Sequence, residues 1–327
     1  MIVTRTPFRI SFAGGGSDLE ACYSVQAGAV LCTAIDKYMY VAVKPHFGSD
    51  FRVSYSRTEF AASIDQIQHP IVRECLKLVG APTPLEIVSM ADLPAHAGMG
   101  SSSSFTVGLL NALHAHSGKL RSAEQLAREA CSIEIDRLQE PIGKQDQYIA
   151  AYGGLQFIQF NPDGTVFVEP VICPEATCRQ LTRRLLVFFT GLTRPAREVL
   201  ERQRKNTPNH LPVLREMSSI ARAMRDLLAA GRDLDEFGRL LHSAWEAKKG
   251  LESSITNDDI DDIYARGLRA GARGGKLLGA GNGGFLLFFC EPERHAALRQ
   301  ELAGLTEVPV AVEPEGSRIV YVGAGRP

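Results

Sequence analysis

A glycine- and serine-rich segment, PAHAGMGSSSS at residues 94–104, has the composition of a phosphate-binding loop. Glycines allow the backbone to approach a ligand closely. The apolar helix predicted from Phe105 onward would present free N–H groups and a positive dipole end to an anion. The alternative is a flexible loop before a serine-capped helix. We predict that this segment binds the phosphates of a nucleotide and that one hydroxyl ligates Mg²⁺, with the candidates Gly98, Met99, Gly100, Ser101, Ser102, Ser103 and Ser104.

Two other glycine patterns do not match the standard nucleotide-binding loops. The segment GKQ at residues 143–145 lacks the Ser or Thr that follows Gly-Lys in a Walker A loop. The segment GAGNGG at residues 279–284 matches G-x-G-x-x-G, but the strand pattern FLLFFC follows it where a Rossmann fold requires a helix. The sequence therefore disfavours a P-loop NTPase and an NAD-binding domain. It leaves residues 279–284 as either a ligand-contacting loop or a tight structural turn.

Charged side chains flank two further turns. Glu134 and Asp146 lie twelve positions apart across a Pro/Gly turn. One of them could hold Mg²⁺, and the other could accept or orient a substrate proton. Arg9 precedes the segment AGGGSD, whose Asp18 could accept hydrogen bonds from sugar hydroxyls. Each pattern also has a structural interpretation, because paired carboxylates are often surface residues and aspartate commonly caps turns.

These segments require a scaffold of mixed strands and helices. Helical spacing of apolar residues predicts helices at 105–116, 122–136 and 213–228, the second with Ser122 and Gln125 as a capping box. Asn257 and the acidic residues after it are interpreted as a helix start and not as a metal site. We predict an α+β chain with domains at residues 1–180 and 181–327. Strands are predicted at 2–5, 9–13, 29–43, 51–55, 85–89, 155–160, 185–189 and 285–290.

The composition is that of an ordinary globular protein with balanced charge. The 327 residues include 36 basic and 37 acidic side chains, so the chain lacks the basic excess typical of nucleic-acid binding. No apolar run is long enough to cross a bilayer, and the N-terminus has no signal-peptide pattern. The seven cysteines form no C-x-x-C pair and are predicted to be buried free thiols. We therefore expect a cytoplasmic protein without a disulfide framework or a zinc site.

The order and spacing of the four segments resemble the GHMP superfamily of small-molecule kinases, which includes galactokinases and mevalonate kinases. Residues 7–9 and the glycines after them resemble the first family motif, and residues 94–104 resemble the second, with Met99 in place of leucine. Residues 279–284 resemble the third. The resemblance implies a two-domain GHMP kinase fold with the active site between the domains. The N-terminal, ATP-binding domain would be similar to domain 2 of ribosomal protein S5, and the C-terminal domain would be ferredoxin-like.

The resemblance also implies roles for individual residues. The glycines and serines of the second motif would cradle the phosphates of ATP, and Ser102 and Glu134 would hold Mg²⁺. Asp146 would accept or orient the proton of the substrate hydroxyl. Arg9 beside it would keep that carboxylate ionised and stabilise charge on the transferring phosphoryl group. The substrate-side candidates are Asp18, Gly15, Gly16, Ser17, Lys144, Arg194, Gly281 and Gly283.

Within the superfamily the chain is most similar to the heptose 7-phosphate kinases, through segments that include residues 9–18, 143–148 and 276–281. This resemblance implies ATP-dependent phosphorylation of the anomeric hydroxyl of D-glycero-D-manno-heptose 7-phosphate. The 1,7-bisphosphate would then lead to GDP-heptose for capsule, surface-layer or lipopolysaccharide sugars.

Two alternatives stay open: a kinase of an unphosphorylated sugar such as L-fucose, and an inactive homologue that only binds ligands. A phosphate anchor on the substrate side would discriminate between the sugars, and Lys144, Arg194 and Arg197 are the candidates. The expected partners are ATP and a sugar phosphate, with no nucleic acid and no membrane. The sequence does not determine the oligomeric state and leaves a homodimer open.

Overall fold

A mixed eight-stranded sheet dominates the first half of the chain in the computed structural model, which describes residues 1–81, 83–95, 97–192 and 197–323. Its antiparallel centre is formed by two long strands, β1 (Ile2–Ala13) and β2 (Gly28–Pro45). The other strands are β3 (Phe51–Ser54), β4 (Thr58–Ala61), β5 (Leu85–Ala91), β6 (Leu155–Phe160), β7 (Val166–Pro170) and β12 (Arg318–Val322). The strand order is β12-β1-β2-β5-β3-β4, and β6 pairs with both β2 and β7.

Strand β1 replaces the two short strands predicted at 2–5 and 9–13. The chain stays extended through Pro7, and the pairing with β2 shifts register between Pro7 and Phe8. Proline has no N–H to donate to a ladder, so a register shift at this position lets a single strand continue past it. This continuity carries Arg9 from the sheet directly to the cleft described below.

Helices pack against this sheet and lead into the second half of the chain. Helix α3 begins at Ser101, four residues before the predicted start, directly after Gly100 in a left-handed conformation. The capping box of Ser122 and Gln125 is confirmed, but regular α-helix ends at Cys131 and continues as one π-helical segment, Ser132–Arg137. The helices are α1 (Glu20–Tyr23), α2 (Pro70–Val79), α3 (Ser101–His116), α4 (Ala123–Cys131), α5 (Gln145–Tyr152) and α6 (Glu175–Arg183), with a 3-10 turn at Ile64–Gln66.

The second half contains an antiparallel four-stranded sheet in the order β11-β8-β10-β9. The predicted strands at 185–189 and 285–290 are confirmed with those bounds, and β10 is buried throughout because helices and the first half cover it. The strands are β8 (Leu185–Phe189), β9 (Ala272–Leu277), β10 (Phe285–Cys290) and β11 (Thr306–Glu307). The helices are α7 (Arg197–Asn206), α8 (Leu211–Ala229), α9 (Leu234–Lys249), α10 (Asp258–Arg269) and α11 (His295–Glu301), with 3-10 turns at Thr207–His210, Ser253–Ile255 and Pro292–Arg294.

Helix α10 starts as the sequence predicts. The side chain of Asn257 accepts a hydrogen bond from the N–H of Ile260 (3.0 Å), and acidic residues fill the first turn. Within the four described ranges, no group of three or more His, Cys, Asp or Glu side chains is arranged to hold a metal ion. No helix in those ranges is both long and apolar enough to cross a membrane. Asn257 and the acidic residues after it therefore form the start of helix α10.

One apolar core joins the two halves of the molecule. It includes Phe8, Phe12 and Phe157 from the first half and Phe237 and Phe289 from the second, all fully buried. The rings of Phe12 and Phe237 meet edge to face with centroids 5.3 Å apart. Burial of large aromatic rings is a strong driving force for packing. The halves therefore hold a cleft between them in a defined geometry.

The architecture is the α+β arrangement of two parts that the sequence predicts. The division at residue 180 stays a prediction. That position lies within α6, and the C-terminal strand β12 pairs with β1 in the first sheet.

Cys173 and Cys178 form a disulfide, so the prediction of seven free thiols is wrong for these two residues. Cys173 directly precedes Pro174 and Cys178 lies in the first turn of α6, so the start of the helix brings their Cα atoms to 6.3 Å, a separation that a disulfide spans. The absence of a C-x-x-C pair does not exclude a pair five residues apart. The remaining cysteines are free and buried, as predicted.

Candidate active site

Residues 97–104 of the glycine- and serine-rich segment form a tight turn that leads into helix α3. Gly98 and Gly100 have positive φ values of 81° and 75°, which favour glycine. Ser101 and Ser102 form the start of the helix and line the cleft between the two halves. The first N–H groups of a helix have no partner within it and sit at the positive end of its dipole. The segment is therefore built to receive a phosphate group.

Three other residues of this segment are turned toward the protein interior. The Ser103 hydroxyl donates to Glu134 Oε2 (2.8 Å), and the Ser104 hydroxyl donates to the carbonyl oxygen of Pro7 (2.8 Å). The Met99 side chain is buried in the core between the halves. Of the predicted serines, Ser101 and Ser102 line the cleft, and the hydroxyls of Ser103 and Ser104 fix the loop.

The third glycine segment packs directly on this loop. A Cβ atom on Gly279 would lie 2.3 Å from Gly98 Cα, and one on Gly281 would lie 2.7 Å from Ile255 Cα. Gly279, Gly281 and Gly283 all have positive φ values and all line the cleft. The segment is therefore a tight turn that also lines the cleft, and its contact with a ligand stays a prediction.

Asp146 and Arg9 form a bidentate ion pair in the cleft. Arg9 Nε donates to Asp146 Oδ1 and Nη2 donates to Oδ2, each at 2.7 Å, while Nη1 donates to the carbonyl oxygen of Gly98 at 2.6 Å. Burial by itself would lower the pKa of Arg9, but the charge and hydrogen bonds of Asp146 raise it. Arg9 is buried, whereas the Asp146 side chain is 27% exposed and faces the cleft. The guanidinium thus fixes the carboxylate beside the phosphate loop.

Glu134 lies in the π-helical segment behind the loop and is almost fully buried. Its Oε2 accepts hydrogen bonds from the Ser103 hydroxyl (2.8 Å) and from Gln147 Nε2 (2.7 Å). Burial raises the pKa of Glu134 to about 7, and hydrogen bonds from Ser103, Gln147 and Ser102 oppose this rise. Glu134 therefore places a hydrogen-bonded carboxyl group next to the first turn of α3.

Asp18 ends the first glycine segment and lines the wall of the cleft. Its Oδ1 accepts from the N–H of Gly16 (2.8 Å), and its Oδ2 accepts from the N–H of Gln145 (3.2 Å). Burial raises the pKa of Asp18. Gly15 and Gly16 line the same wall, while the hydroxyl of Ser17 donates to Gly14 and Ala29 carbonyl oxygens outside it. Asp18 thus caps a turn and also faces the cleft.

The two predicted phosphate anchors that the structure describes, Lys144 and Arg197, do not line the cleft. Lys144 donates from Nζ to the carbonyl oxygen of Gly164 (3.0 Å), lies 4.5 Å from the ring centroid of Tyr23, and is not a lining residue. Arg197 is exposed and forms ion pairs with Glu140 and Glu201. Arg194 lies outside the described residues.

Two lysines that sequence reasoning missed line the cleft instead. Lys248, from α9, and Lys276, from β9, are 6% and 2% exposed. Lys276 lies three residues before the third glycine segment, a position that signals a site residue. Lys248 gives no such signal, because a Lys-Lys pair at a helix end is typical of a solvated, dipole-compensating position.

The far end of the cleft is aromatic and apolar. The His69 ring lies between those of Tyr55 and Phe105, with centroids 4.7 and 5.1 Å away. Burial lowers the pKa of His69, which favours a neutral ring. These rings belong to the same cavity of about 710 Å³ as the phosphate loop and Asp146. A cavity of this size, with an apolar end and a few polar groups, suits small-molecule ligands.

Comparisons with protein families and with known proteins identify relatives of this chain. The model of the N-terminal domain of GHMP kinases matches residues 69–154, and the C-terminal model matches residues 220–303. D-glycero-alpha-D-manno-heptose 7-phosphate kinase of Campylobacter jejuni is 28% identical over 92% of this chain and 94% of its own length. The L-fucokinase/L-fucose-1-P guanylyltransferase of Bacteroides fragilis is 26% identical over 90% of this chain and 35% of its own length.

The same fold occurs in solved structures. A D-glycero-D-manno-heptose 1-phosphate kinase from Bacteroides thetaiotaomicron superimposes with a TM-score of 0.82 and 23% identity, covering 99% of this chain and all of that one. Streptococcus pneumoniae phosphomevalonate kinase, solved with phosphomevalonate and AMPPNP, superimposes with a TM-score of 0.74 and 16% identity, covering 98% of this chain and all of that one. The two family models together match just over half of the sequence. The chain therefore belongs to the GHMP kinases, a family of ATP-dependent small-molecule kinases.

Proposed function

We propose that this protein transfers the γ-phosphoryl group of ATP to the anomeric hydroxyl of D-glycero-D-manno-heptose 7-phosphate. The observation that carries a kinase function is the position of Asp146, whose Oδ2 lies 3.3 Å from the site of a Cβ atom on Gly100 of the phosphate loop. The names of the Campylobacter and Bacteroides relatives support a heptose phosphate as acceptor. The product, the 1,7-bisphosphate, would supply GDP-heptose synthesis for surface sugars.

The proposed catalysis is mainly positioning and charge neutralisation, as phosphoryl transfer requires. Asp146 would orient the acceptor hydroxyl or accept its proton. Arg9 would hold Asp146 in place through its bidentate pair and would hold the phosphate loop through Gly98. Asp18, with Gly15 and Gly16, would face the sugar. An acceptor bound between these walls would have its hydroxyl close to the phosphate loop, which removes much of the entropic barrier.

The residues behind the loop fit a divalent cation. Glu134 is buried, and hydrogen bonds from neutral groups are the largest influences that favour its charged form. A carboxylate and a hydroxyl, together with phosphate oxygens and water, are ligands that Mg²⁺ accepts. Ser102 and Glu134 would hold the ion, and the ion would neutralise charge on the β- and γ-phosphates. The adenine ring would lie at the apolar end of the cleft, which is lined by Tyr55, His69 and Phe105.

Glu134→Gln tests the metal assignment. The change keeps the size of the side chain and removes its charge, so we expect the KM for Mg-ATP to rise by about 10- to 100-fold. Glu140→Gln is the control, since it removes the same charge where Glu140 pairs with Arg197 at the surface. An unchanged KM for Mg-ATP in Glu134→Gln would remove Glu134 from the metal site.

Stability measurements provide a second readout for Glu134. Its pKa is raised from an ordinary value of 4.5 to about 7, so the folded protein binds more protons than the unfolded chain between these pH values. The free energy of unfolding of the metal-free protein therefore falls as pH rises through this window. Glu134→Gln lacks this contribution and should be more stable than the wild type at pH 8. Denaturant unfolding at pH 5 and pH 8 measures the difference.

A coupled ADP-release assay tests the acceptor. It compares heptose 7-phosphate, heptose 1-phosphate, mannose 6-phosphate, sedoheptulose 7-phosphate, L-fucose and galactose. We expect the highest kcat/KM with heptose 7-phosphate, and phosphorus NMR of the product identifies the new phosphate at C1. Both heptose phosphates are included because the names of the two relatives differ in the position of the phosphate.

The other outcomes of this assay separate the alternatives. Turnover confined to L-fucose would favour the activity named in the Bacteroides fragilis relative and would overturn the acceptor assignment. ATP binding without turnover of any sugar would favour an inactive binding homologue. The presence of Asp146, Arg9 and Glu134 together in the site argues against that last outcome.

A further inference from the structure

Lys248 and Lys276 are buried lysines without a carboxylate partner among the residues that the structure describes. Within the part of the chain that the structure describes, each ammonium group makes one hydrogen bond, and both are to carbonyl oxygens. Lys248 donates to Gly279, and Lys276 donates to Phe12 at 3.3 Å. Arg9, the third buried cation of the cleft, is paired with Asp146. The two lysines therefore carry charge that the described protein atoms only partly compensate.

This arrangement is unfavourable for the protein without a ligand. Removing an ammonium group from water costs free energy, and a second cation nearby adds to that cost. Burial and the charge of Arg9 lower the pKa of Lys248 to about 8, although Asp18 and Asp146 act in the opposite direction. Burial and the charges of Lys248 and Arg9 lower the pKa of Lys276 as well. An anion bound between the lysines would reverse these effects.

The position of the lysines indicates which anion they would bind. An ammonium group has three donors, so each lysine has two that are free for a ligand. Lys248 Nζ donates a hydrogen bond to the carbonyl oxygen of Gly279, and Gly279 packs against Gly98 of the phosphate loop. Both lysines face the cavity that also contains Asp146. Their free donors therefore lie in the cavity that the phosphate loop and Asp146 also line, where phosphate oxygens would enter.

We propose that Lys248 and Lys276 form a two-lysine receptor for phosphate oxygens. The proposal rests on the proposed function, in which two phosphate groups enter the cleft with the same chemistry. One is the phosphoryl group that leaves ATP, and the other is the phosphate that the acceptor already carries. Each would accept hydrogen bonds from both ammonium groups.

Lys248→Met and Lys276→Met test the receptor, because methionine keeps a long flexible side chain without the charge. Lys249→Met is the matched control: this neighbouring lysine pairs with Glu246 (2.9 Å) and does not line the cleft.

Kinetics are measured with heptose 7-phosphate and with the unphosphorylated heptose. If the lysines bind the acceptor phosphate, the KM for the phosphorylated sugar rises by about 10-fold or more, as for loss of a charged hydrogen bond. If they bind the transferring group, kcat falls by about the same factor with both sugars. Unchanged kinetics with both sugars in both variants overturns the proposal.

Thermal unfolding separates a receptor from a structural role. Because each variant removes a buried charge without an ion-pair partner, we expect Tm in phosphate-free buffer to rise by about 2 to 4 °C. A structural lysine would give a lower Tm, and a lower Tm with equal loss of activity toward every acceptor overturns the proposal.

Inorganic phosphate provides a readout that does not depend on the acceptor. It should raise the Tm of the wild type and of Lys249→Met by mass action, and it should raise the Tm of Lys248→Met and Lys276→Met less. If heptose 7-phosphate is not turned over but this difference is present, the acceptor assignment fails and the receptor stands. If heptose 7-phosphate is turned over and phosphate stabilises all four proteins equally, the acceptor assignment stands and the receptor is overturned.

Discussion

Replacing Asp146 with asparagine is expected to lower kcat by about 10²- to 10⁴-fold while ATP still binds. Asparagine has nearly the same shape and keeps an acceptor for Arg9, which now donates to both oxygens of Asp146 at 2.7 Å. It cannot accept a proton and carries no charge to orient the acceptor hydroxyl. The coupled ADP-release assay measures kcat, and calorimetry with a non-hydrolysable ATP analogue measures nucleotide affinity.

The control for this experiment is Asp136→Asn. Asp136 is exposed in the π-helical segment and does not line the cleft, so its loss removes the same charge without touching the site. We expect its kcat to match that of the wild type. A near-normal rate in Asp146→Asn would show that the acceptor hydroxyl is activated by another group, and the proposed role of Asp146 would be wrong.

Gly279→Ala is expected to reduce kcat/KM by about 100-fold or more, although residue 279 carries no chemical group for the reaction. A Cβ atom there would lie 2.3 Å from Gly98 Cα, and the φ value of 78° already disfavours alanine. The two glycine segments would have to separate, which displaces Gly98 and with it the carbonyl oxygen that accepts from Arg9. Steady-state kinetics and Tm are measured together, so that loss of the fold is distinguished from displacement of the loop.

Gly118→Ala is the matched control for the free-energy cost of placing a side chain on a residue with positive φ. Gly118 has a φ value of 71°, and nothing lies within 4 Å of a Cβ atom built on it. The variant therefore bears the left-handed strain of about 1 to 2 kcal/mol without a steric clash. We expect a lower Tm with unchanged kcat/KM. Equal kinetics in Gly279→Ala and Gly118→Ala would mean that contact between the two glycine segments is not required for phosphate binding.

Local sequence patterns predict several elements accurately. The capping box at Ser122, the helix start at Asn257 and the strands at 185–189 and 285–290 all match the structure. Each depends on interactions within a few residues or on a continuous apolar run. The strand that follows residues 279–284 also confirms that this glycine segment does not open a Rossmann helix.

Features that depend on distant partners were predicted less well. The passage of β1 through Pro7 depends on pairing with β2, and the early start of α3 depends on how Gly100 packs against Arg9 and Asp146. The disulfide between Cys173 and Cys178 is a local exception, since it joins residues five positions apart and depends on the start of α6 at Pro174. In each case the deciding contact is not visible in the local pattern of residue types.

The sequence by itself determined the family of this protein, through motifs whose glycines and serines are required wherever a backbone must approach phosphate. It also contained both members of the ion pair in the cleft. The family resemblance places Arg9 beside Asp146, but only the tertiary structure decided that the two residues, 137 positions apart, form a bidentate pair. It likewise decided that Lys248 is buried in the cleft while Lys249 beside it pairs with Glu246. Adjacent helix residues point about 100° apart, so the packing of α9 against the rest of the molecule determines which lysine faces the cleft.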